Sequence, residues 1–244
     1  MDFIHLIRFI DRHRIMFFST AELAAHLGVE VQSIQSYLET LANNGLILRV
    51  EKGKYCRTFL RDRYVIGSHL IRDGVISHDT ALQYFGLQPV ESPEVFVSSC
   101  HQKRDKDLFG NRYRFIRIRP HKHFGHLDRR GPEGSFSITD PEKTLLDCFD
   151  QPRYTQGFQS LAEVFFEHKF DQKRLSGYGV RLNNLSVLKR MGYLIDKYQL
   201  PGYPRFRKTA LQQVNERYSL LDPAGPNRGP FDSRWRIRDN TNDI

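Results

Sequence analysis

The sequence is poor in cysteine, with three among 244 residues, at Cys56, Cys100 and Cys148. An odd number of widely spaced cysteines excludes a disulfide framework and a compact zinc knuckle. The chain also lacks any apolar run near the roughly 18 residues that a membrane-spanning helix needs. Charged side chains interrupt the apolar residues of positions 1–15, which is not the pattern of a signal peptide. We therefore expect a cytoplasmic protein with no membrane partner.

Motifs of several enzyme classes are missing as well. There is no glycine-rich phosphate-binding loop and no nucleophile elbow. His121, His123 and His126 lie within six positions and could bind zinc, but no cysteine or suitably spaced fourth ligand accompanies them. We therefore expect no metal, no cofactor and no catalytic residue, and so a protein that is not an enzyme.

Acidic side chains are in deficit, with 28 against 37 basic ones, which gives a net charge of +9 and a pI of about 9.5. The excess of basic side chains is unevenly distributed along the sequence. Residues 1–60 carry seven basic and six acidic side chains, whereas residues 181–244 carry twelve and six. A basic protein favours polyanionic partners, nucleic acid before acidic membrane surfaces.

The first 60 residues predict a winged helix-turn-helix. In FFSTAELAAHLG, Ser19 and Glu22 form a capping box at the start of a helix that Gly28 ends. A second amphipathic pattern begins three residues later in VQSIQSYLETLANNGLI, and ILRVEKGKYCR predicts a β-hairpin around Lys52-Gly53. The order is helix, helix, tight turn, helix and hairpin.

A winged helix predicts a particular set of contacts to double-stranded DNA. The third helix would lie in the major groove, where polar side chains opposite its apolar stripe could reach base edges, while basic side chains of the hairpin could reach phosphates. The alternative is a winged-helix fold used as a protein-interaction module, which the near-neutral charge of residues 1–60 keeps open. The predicted DNA-binding residues are Gln32, Ser33, Gln35, Ser36, Arg49, Lys52, Lys54 and Arg57.

Beyond residue 60 the pattern predicts a mixed α/β domain over about 64–220, followed by a tail over 221–244 with a terminal strand. Residues 61–63 are expected to be a short junction. Helical patterns cover 64–86, with Ser77 as an N-cap, and later 141–149, 158–168, 172–180, 185–197 and 209–217. Strand patterns cover 94–100, 113–120 and 135–138. The predicted fold class is therefore α+β.

The stretch SFSITDPEKTLLDCFD carries five charged residues that could suggest a metal-dependent nuclease. Such a site places an acid on one strand and an Asp/Glu-x-Lys on the next. Here Glu142 and Lys143 are adjacent and would diverge by about 100° on a helix. Asp140 before Pro141 is instead typical of an N-cap, so we expect this stretch to start a helix.

Exposed basic runs are also predicted in the second domain. In YRFIRIRP the arginines alternate with isoleucines, and the tail repeats the pattern around Trp235. Such faces could track a phosphate backbone, or could be solvated faces that protect an edge strand. The residues of this predicted basic antitoxin surface are Arg117, Arg119, Arg205, Arg207, Arg234 and Arg236.

Four motifs together resemble the AbiEi family, the antitoxin half of type IV toxin–antitoxin systems. They are ISHDTALQYFGL at 76–87, DPEKTLLD at 140–147, the helix end KRMGYL at 189–194, and WRIRDN at 235–240. DPEKTLLD is the most specific, and Met191 replaces the leucine that family members typically have. The resemblance spans about residues 1–240.

The resemblance implies an N-terminal winged helix, a C-terminal antitoxin domain and no enzymatic activity. It implies a repressor that binds a promoter operator, which we expect to contain inverted repeats. It also implies a functional partner, a nucleotidyltransferase-like toxin that is countered without a stable complex. Two alternatives stay open from the residues: a restriction-like nuclease or DNA-processing protein with a DNA-binding head, and a transcriptional regulator whose second domain senses a ligand.

Overall fold

Residues 3–89 and 92–241 are described by the computed structural model, which has an α+β fold with three sheets. Two regions are named here by their residues: the head, residues 3–60, and the body, residues 63–241. Within the described ranges, none of the helices is both long and apolar enough to cross a membrane.

The head contains three helices and a small antiparallel sheet in the order β1-β3-β2. Its apolar core includes Leu6, Ile10, Leu23, Ile34 and Leu38, contributed by all three helices. The elements in chain order are α1 (Phe3–Arg12), β1 (Phe17–Ser19), α2 (Thr20–Leu27), α3 (Val31–Asn43), β2 (Ile47–Glu51) and β3 (Lys54–Arg57).

Local capping determines where α2 begins and ends. The Ser19 hydroxyl accepts from the Glu22 N–H at 3.1 Å, and the Glu22 carboxylate accepts from the Ser19 N–H at 2.9 Å. This is the predicted capping box, and it is confirmed. Gly28 ends the helix at φ +64°, a conformation that a residue with a Cβ disfavours. The chain thereby turns sharply into α3.

The body is built around a six-stranded mixed sheet in the order β6-β7-β5-β4-β9-β8. Helices α6–α10 and the tail enclose a second apolar cluster beside it. The elements in chain order are α4 (Arg63–Leu70), β4 (Val75–Ile76), α5 (His78–Tyr84), β5 (Glu94–Ser99), β6 (Lys106–Leu108), β7 (Asn111–Arg117), β8 (His126–Gly131), β9 (Gly134–Thr139), α6 (Pro141–Asp150), α7 (Phe158–Glu167), α8 (Gln172–Leu182), α9 (Leu185–Lys197), α10 (Pro204–Leu211), β10 (Ser219–Leu220), β11 (Phe231–Asp232) and β12 (Ile237–Arg238).

Head and body share one apolar core. Phe17, Val50, Cys56 and Leu60 of the head are buried in the same cluster as side chains of α4 and the central strands, Val65, Ile66, Val97 and Tyr113 among them. The predicted junction, residues 61–63, is held in place, and its last residue, Arg63, already begins α4. The Glu133 carboxylate accepts from the N–H groups of Arg61 and Asp62 at 2.6 and 2.7 Å. The orientation of the head is therefore fixed by packing.

The tail packs against the body helices. Trp235 is 1% exposed, and its indole N–H donates to Asp196 Oδ2 of α9 at 2.9 Å. The ring lies over Gly192, where a Cβ would come within 2.2 Å of the ring carbons. Because Leu221 and Ile237 belong to the same cluster, the tail completes the core of the body.

Helix α6 begins as the sequence predicts. Asp140 is its N-cap and accepts from the Lys143 N–H at 2.8 Å, with Pro141 at the first helical position. Leu145, Leu146 and Phe149 of this helix are fully buried.

Other boundaries differ from the prediction. The pattern over 64–86 is divided into α4, β4 and α5, because Gly74 and the short strand β4 interrupt it. Ser77 does stand at the N-cap of α5, but its hydroxyl bonds the Ser98 hydroxyl at 2.7 Å instead of a helix N–H. The predicted helix over 209–217 is wrong in its bounds, since Pro204 starts α10 and the helix ends at Leu211.

We predict that Asp140→Ala lowers the free energy of unfolding by about 0.5–2 kcal/mol, the usual cost of losing an N-cap. Asp140→Asn is the matched control, because an amide oxygen also accepts the Lys143 N–H. Urea unfolding followed by circular dichroism measures both variants. Equal losses for Ala and Asn would show that the cap is not what Asp140 contributes.

Candidate nucleic-acid interface

The outer face of α3 is polar and open to solvent. Gln32, Ser33, Gln35 and Ser36 are all exposed, whereas Ile34, Leu38 and Leu41 on the opposite face are buried. The expected orientation of these four polar side chains is confirmed. Val31, the first residue of α3, is 44% exposed although it is apolar.

Gln35 is held in place by its own helix. Its side-chain amide donates to Glu39 Oε1 at 3.2 Å, one turn further along. Such a contact orders a long side chain at small cost and leaves the remaining amide atoms available for a base edge.

The four basic residues predicted on the hairpin fall into two groups. Arg49 and Lys52 are exposed and face solvent. Arg57 pairs with Asp11 of α1 at 2.5 Å, and its guanidinium lies 5.6 Å from the centre of the Phe59 ring. Arg57 therefore ties the hairpin to the first helix.

Lys54 is directed toward the body. Its ammonium donates to the carbonyl of Leu70 and, at 3.4 Å, to that of His69, both at the end of α4. It also lies 3.1 Å from Glu51, which accepts from Lys103 of the body at 2.7 Å. Burial acts to raise the pKa of Glu51, but the hydrogen bonds from Lys103 and Lys54 have the larger effect and lower that pKa overall. These contacts occupy Lys54 in holding the head to the body.

The six arginines of the predicted antitoxin surface also differ in their surroundings. Arg117 and Arg119 are exposed and alternate with the buried Ile116 and Ile118, as the sequence predicts. Arg205, at the start of α10, is exposed as well.

The other three arginines have partners within the chain. Arg207 and Arg234 both pair with Asp196, and the Arg236 guanidinium lies 5.4 Å from the centre of the Tyr218 ring. Burial acts to raise the pKa of Asp196, but hydrogen bonds from Arg207 and Trp235 lower it overall. The structure thus brings Arg207 and Arg234 together at one carboxylate, and no described contact joins them to Arg117 or Arg119.

A cleft of about 840 Å³ lies between head and body. The head contributes Ser19, Glu22 and Lys54, and the body contributes charged and imidazole groups. The sequence gives no indication of this cleft, since its walls are more than 100 residues apart in places. The lining residues of the body include His69, Arg72, Asp73, His123, His126 and Asp128.

Two groups in the cleft have shifted pKa values. Burial and the neighbouring His123 lower the pKa of His126 to about 4, so this imidazole is neutral at pH 7. For Asp73, burial acts to raise the pKa, but hydrogen bonds from Ser99, His101 and Cys100 dominate and lower it far below its usual range. Asp73 is therefore a firmly ionised carboxylate at one end of the cleft.

The charged residues of α6 form ion pairs and hydrogen bonds within the body. Lys143 is 1% exposed and pairs with Asp147, while its ammonium lies 4.9 Å from the centre of the Phe124 ring. Glu142 accepts from Arg174 at 3.2 Å and from the Asp171 N–H at 2.9 Å. These charged groups are used to join α6 to the neighbouring elements.

Similarity to known proteins extends to the fold. The structure is similar to the crystal structure of the Rv2827c protein from Mycobacterium tuberculosis, with a TM-score of 0.60 and 13% sequence identity, over 95% of this chain and 89% of that one. No family model matches the sequence, and no curated protein does. The arrangement of head and body therefore recurs on a very different sequence, and a shared fold does not carry a function with it.

We predict that Lys52 and Lys54 behave differently in binding to duplex DNA. Lys52→Ala should reduce the slope of log K against log salt by about 0.9, the value for one phosphate contact. Lys54→Ala should leave that slope unchanged and lower the urea midpoint of unfolding, because two carbonyls lose their donor and Glu51 loses one of its lysine partners. Gel shifts at four salt concentrations test the slopes. A reduced slope in Lys54→Ala with unchanged stability would contradict this assignment.

Proposed function

We propose that this protein is a DNA-binding repressor and an antitoxin of the AbiEi type, which counters a nucleotidyltransferase-like toxin without a stable complex. The observation that carries the first half is the exposed polar face of α3 beside a hairpin that presents Arg49 and Lys52. The resemblance of four sequence motifs to the AbiEi family carries the second half.

The head is proposed to be a winged helix in which α2 and α3 form the helix-turn-helix and β2–β3 form the wing. The left-handed turn at Gly28 sets a sharp angle between the two helices. A recognition helix contacts bases with outward polar side chains, and α3 presents Gln32 and Gln35 in this way. A glutamine can bond the N6 and N7 edge of adenine with both ends of its amide.

The small number of basic residues in the head limits how tightly it could bind DNA on its own. Neither α2 nor α3 contains a lysine or arginine, so phosphate contacts would come from exposed basic residues elsewhere in the head, such as Arg49 and Lys52 of the hairpin and Arg8 and Arg12 of α1. A small number of phosphate contacts gives weak binding by one head. An operator with inverted repeats, bound by two copies, would double these contacts.

The antitoxin activity is proposed to reside in the body. Arg117, Arg119 and Arg205 face solvent, whereas Arg207 is bound to Asp196. We therefore narrow the predicted basic surface to the first three as the groups available to a polyanion. The proposed target is an RNA or DNA backbone, which would explain a basic body without stable binding to the toxin itself.

A nuclease is less well supported than a repressor. The acids and the lysine of the α6 stretch serve as an N-cap and as partners in ion pairs, with Lys143 buried beneath Phe124. No described feature places these groups around a solvent-accessible position for a metal and a phosphate.

Gel shifts with DNA from upstream of the protein's own gene test the proposed repressor. The double variant Gln32→Ala/Gln35→Ala should lose sequence discrimination by about 1–3 kcal/mol for each bidentate contact that is removed, while its binding to unrelated DNA persists.

Gln159→Ala provides a matched control for this test. Gln159 is an exposed glutamine of α7 that donates to Glu163 at 3.4 Å, the same one-turn pairing as Gln35 with Glu39. The control should bind the operator normally. If the double variant also keeps full discrimination, α3 does not read the bases, and a protein-interaction role for the head gains support.

Co-expression with the toxin encoded beside the gene tests the antitoxin activity. Arg117→Glu/Arg119→Glu should abolish protection, because it reverses the exposed charge, and should leave repression by the head largely intact. The Gln32→Ala/Gln35→Ala variant should show the opposite result, derepression with protection retained.

Charge reversal at Arg129 and Arg130 is the control for the body. These two arginines are exposed on β8 of the same six-stranded sheet, outside the proposed surface. Point variants are used in preference to removal of the head, since truncation would expose the core at Val65, Ile66 and Tyr113. Equal loss of protection in both arginine pairs would mean that net charge, and not this surface, is what matters.

A further inference from the structure

Three residues that are distant in the sequence converge at the edge of the cleft between head and body. Asp73, Cys100 and His123 each have a ligand atom within 4.8 Å of those of the other two, and all three side chains are partly accessible. Asp73 lies in the turn between α4 and β4, Cys100 follows β5, and His123 follows the short helix after β7.

The donor set and its spacing suit one kind of metal ion. Thiolate, imidazole and carboxylate together are the ligands that zinc uses, whereas magnesium and calcium take oxygen ligands alone. Atoms bound to one tetrahedral zinc at about 2.1–2.3 Å lie roughly 3.4–3.7 Å apart. His123 Nε2 lies 3.8 Å from Asp73 Oδ2 and 3.0 Å from the Asp73 backbone carbonyl, a hydrogen bond that zinc would have to displace. Side-chain movements of about 1 Å would complete the geometry at the remaining pairs.

The surroundings of Asp73 resemble the outer shell of a metal site. Its carboxylate accepts from the Ser99 hydroxyl, and from the Cys100 N–H at 2.7 Å, which fixes the orientation of both oxygens. Metal-binding carboxylates are commonly held by such bonds. His101 Nδ1 lies 2.9 Å from the same carboxylate on a side chain that is 59% exposed, so it is a further donor within reach.

We propose that Asp73, Cys100 and His123 form a zinc-binding site at the edge of the cleft, with the fourth position open to water or to His101. Zinc would bind the thiolate of Cys100, whose proton passes to the solvent, together with a neutral imidazole and the ionised carboxylate.

The site is placed where it can affect the contact between head and body. Asp73 follows Leu70 by three residues, and the Leu70 carbonyl accepts the bond from Lys54 of the head. Zinc would restrain the turn that contains Asp73 and so would reinforce the end of α4 to which the head is attached. This inference does not depend on the proposed repressor or antitoxin activity.

Metal titration of the full-length protein tests the proposal. After treatment with a chelator, isothermal titration with Zn²⁺ should show one ion per chain, and Cys100→Ser and His123→Ala should each weaken binding by at least about tenfold. With Co²⁺ as a spectroscopic probe, the wild-type protein should show a thiolate-to-cobalt charge-transfer band that Cys100→Ser lacks.

His121→Ala is the matched control, because His121 is an exposed histidine in the same loop and is not one of the three ligands. It should bind Zn²⁺ as the wild type does, and circular dichroism should show that all variants are folded. The proposal is overturned if the wild type binds no stoichiometric zinc, if cobalt gives no thiolate band, or if His121→Ala weakens binding as much as His123→Ala does.

Discussion

Burial of one apolar cluster by both head and body determines how the rest of the molecule is placed. Phe17, Val50, Cys56 and Leu60 face away from the head's own core and into the body, so the small sheet has apolar side chains on both faces. Burying apolar surface stabilises by about 25 cal/mol per Å², and this term is lost for both partners if either is absent. The bonds that Lys54 donates to the end of α4, and those that the N–H groups of residues 61 and 62 donate to Glu133, then fix the angle of a contact that hydrophobic burial alone would leave loosely defined.

The basic residues fall into two groups, those that are paired within the chain and those that face solvent. Lys54 and Arg57 of the head, and Arg207 beside the tail, are each paired with a carboxylate or a carbonyl. Others, such as Lys52 and Arg117, face solvent and have no ion-pair partner among the described residues. The net charge of the chain thus overstates the charge that is available for binding, and the exposed arginines are a better measure of it.

Local signals in the sequence were sufficient for much of the secondary structure. Capping residues acted within one helical turn, so the starts of α2 and α6 followed from Ser19 and Asp140. Strand β8 was missed because three of its six residues are charged, and only its pairing with β9 makes it a strand. Contacts between distant residues could not be predicted in this way. The spacing of residues in the sequence does not indicate that Lys54 points toward the body, or that Cys100 lies close to Asp73 and His123. Both contacts depend on how separate elements pack.

The shared core also means that the packing of the body can influence the position of α3. Since α3 packs against a sheet whose other face is part of the body's interior, the packing around Tyr113 and Val97 bears on how the head is oriented. In the proposed repressor, two copies on two half-sites would hold their α3 helices at a distance that depends on this packing. Substitutions of buried apolar residues in the body could then change this distance while the exposed face of α3 stays the same.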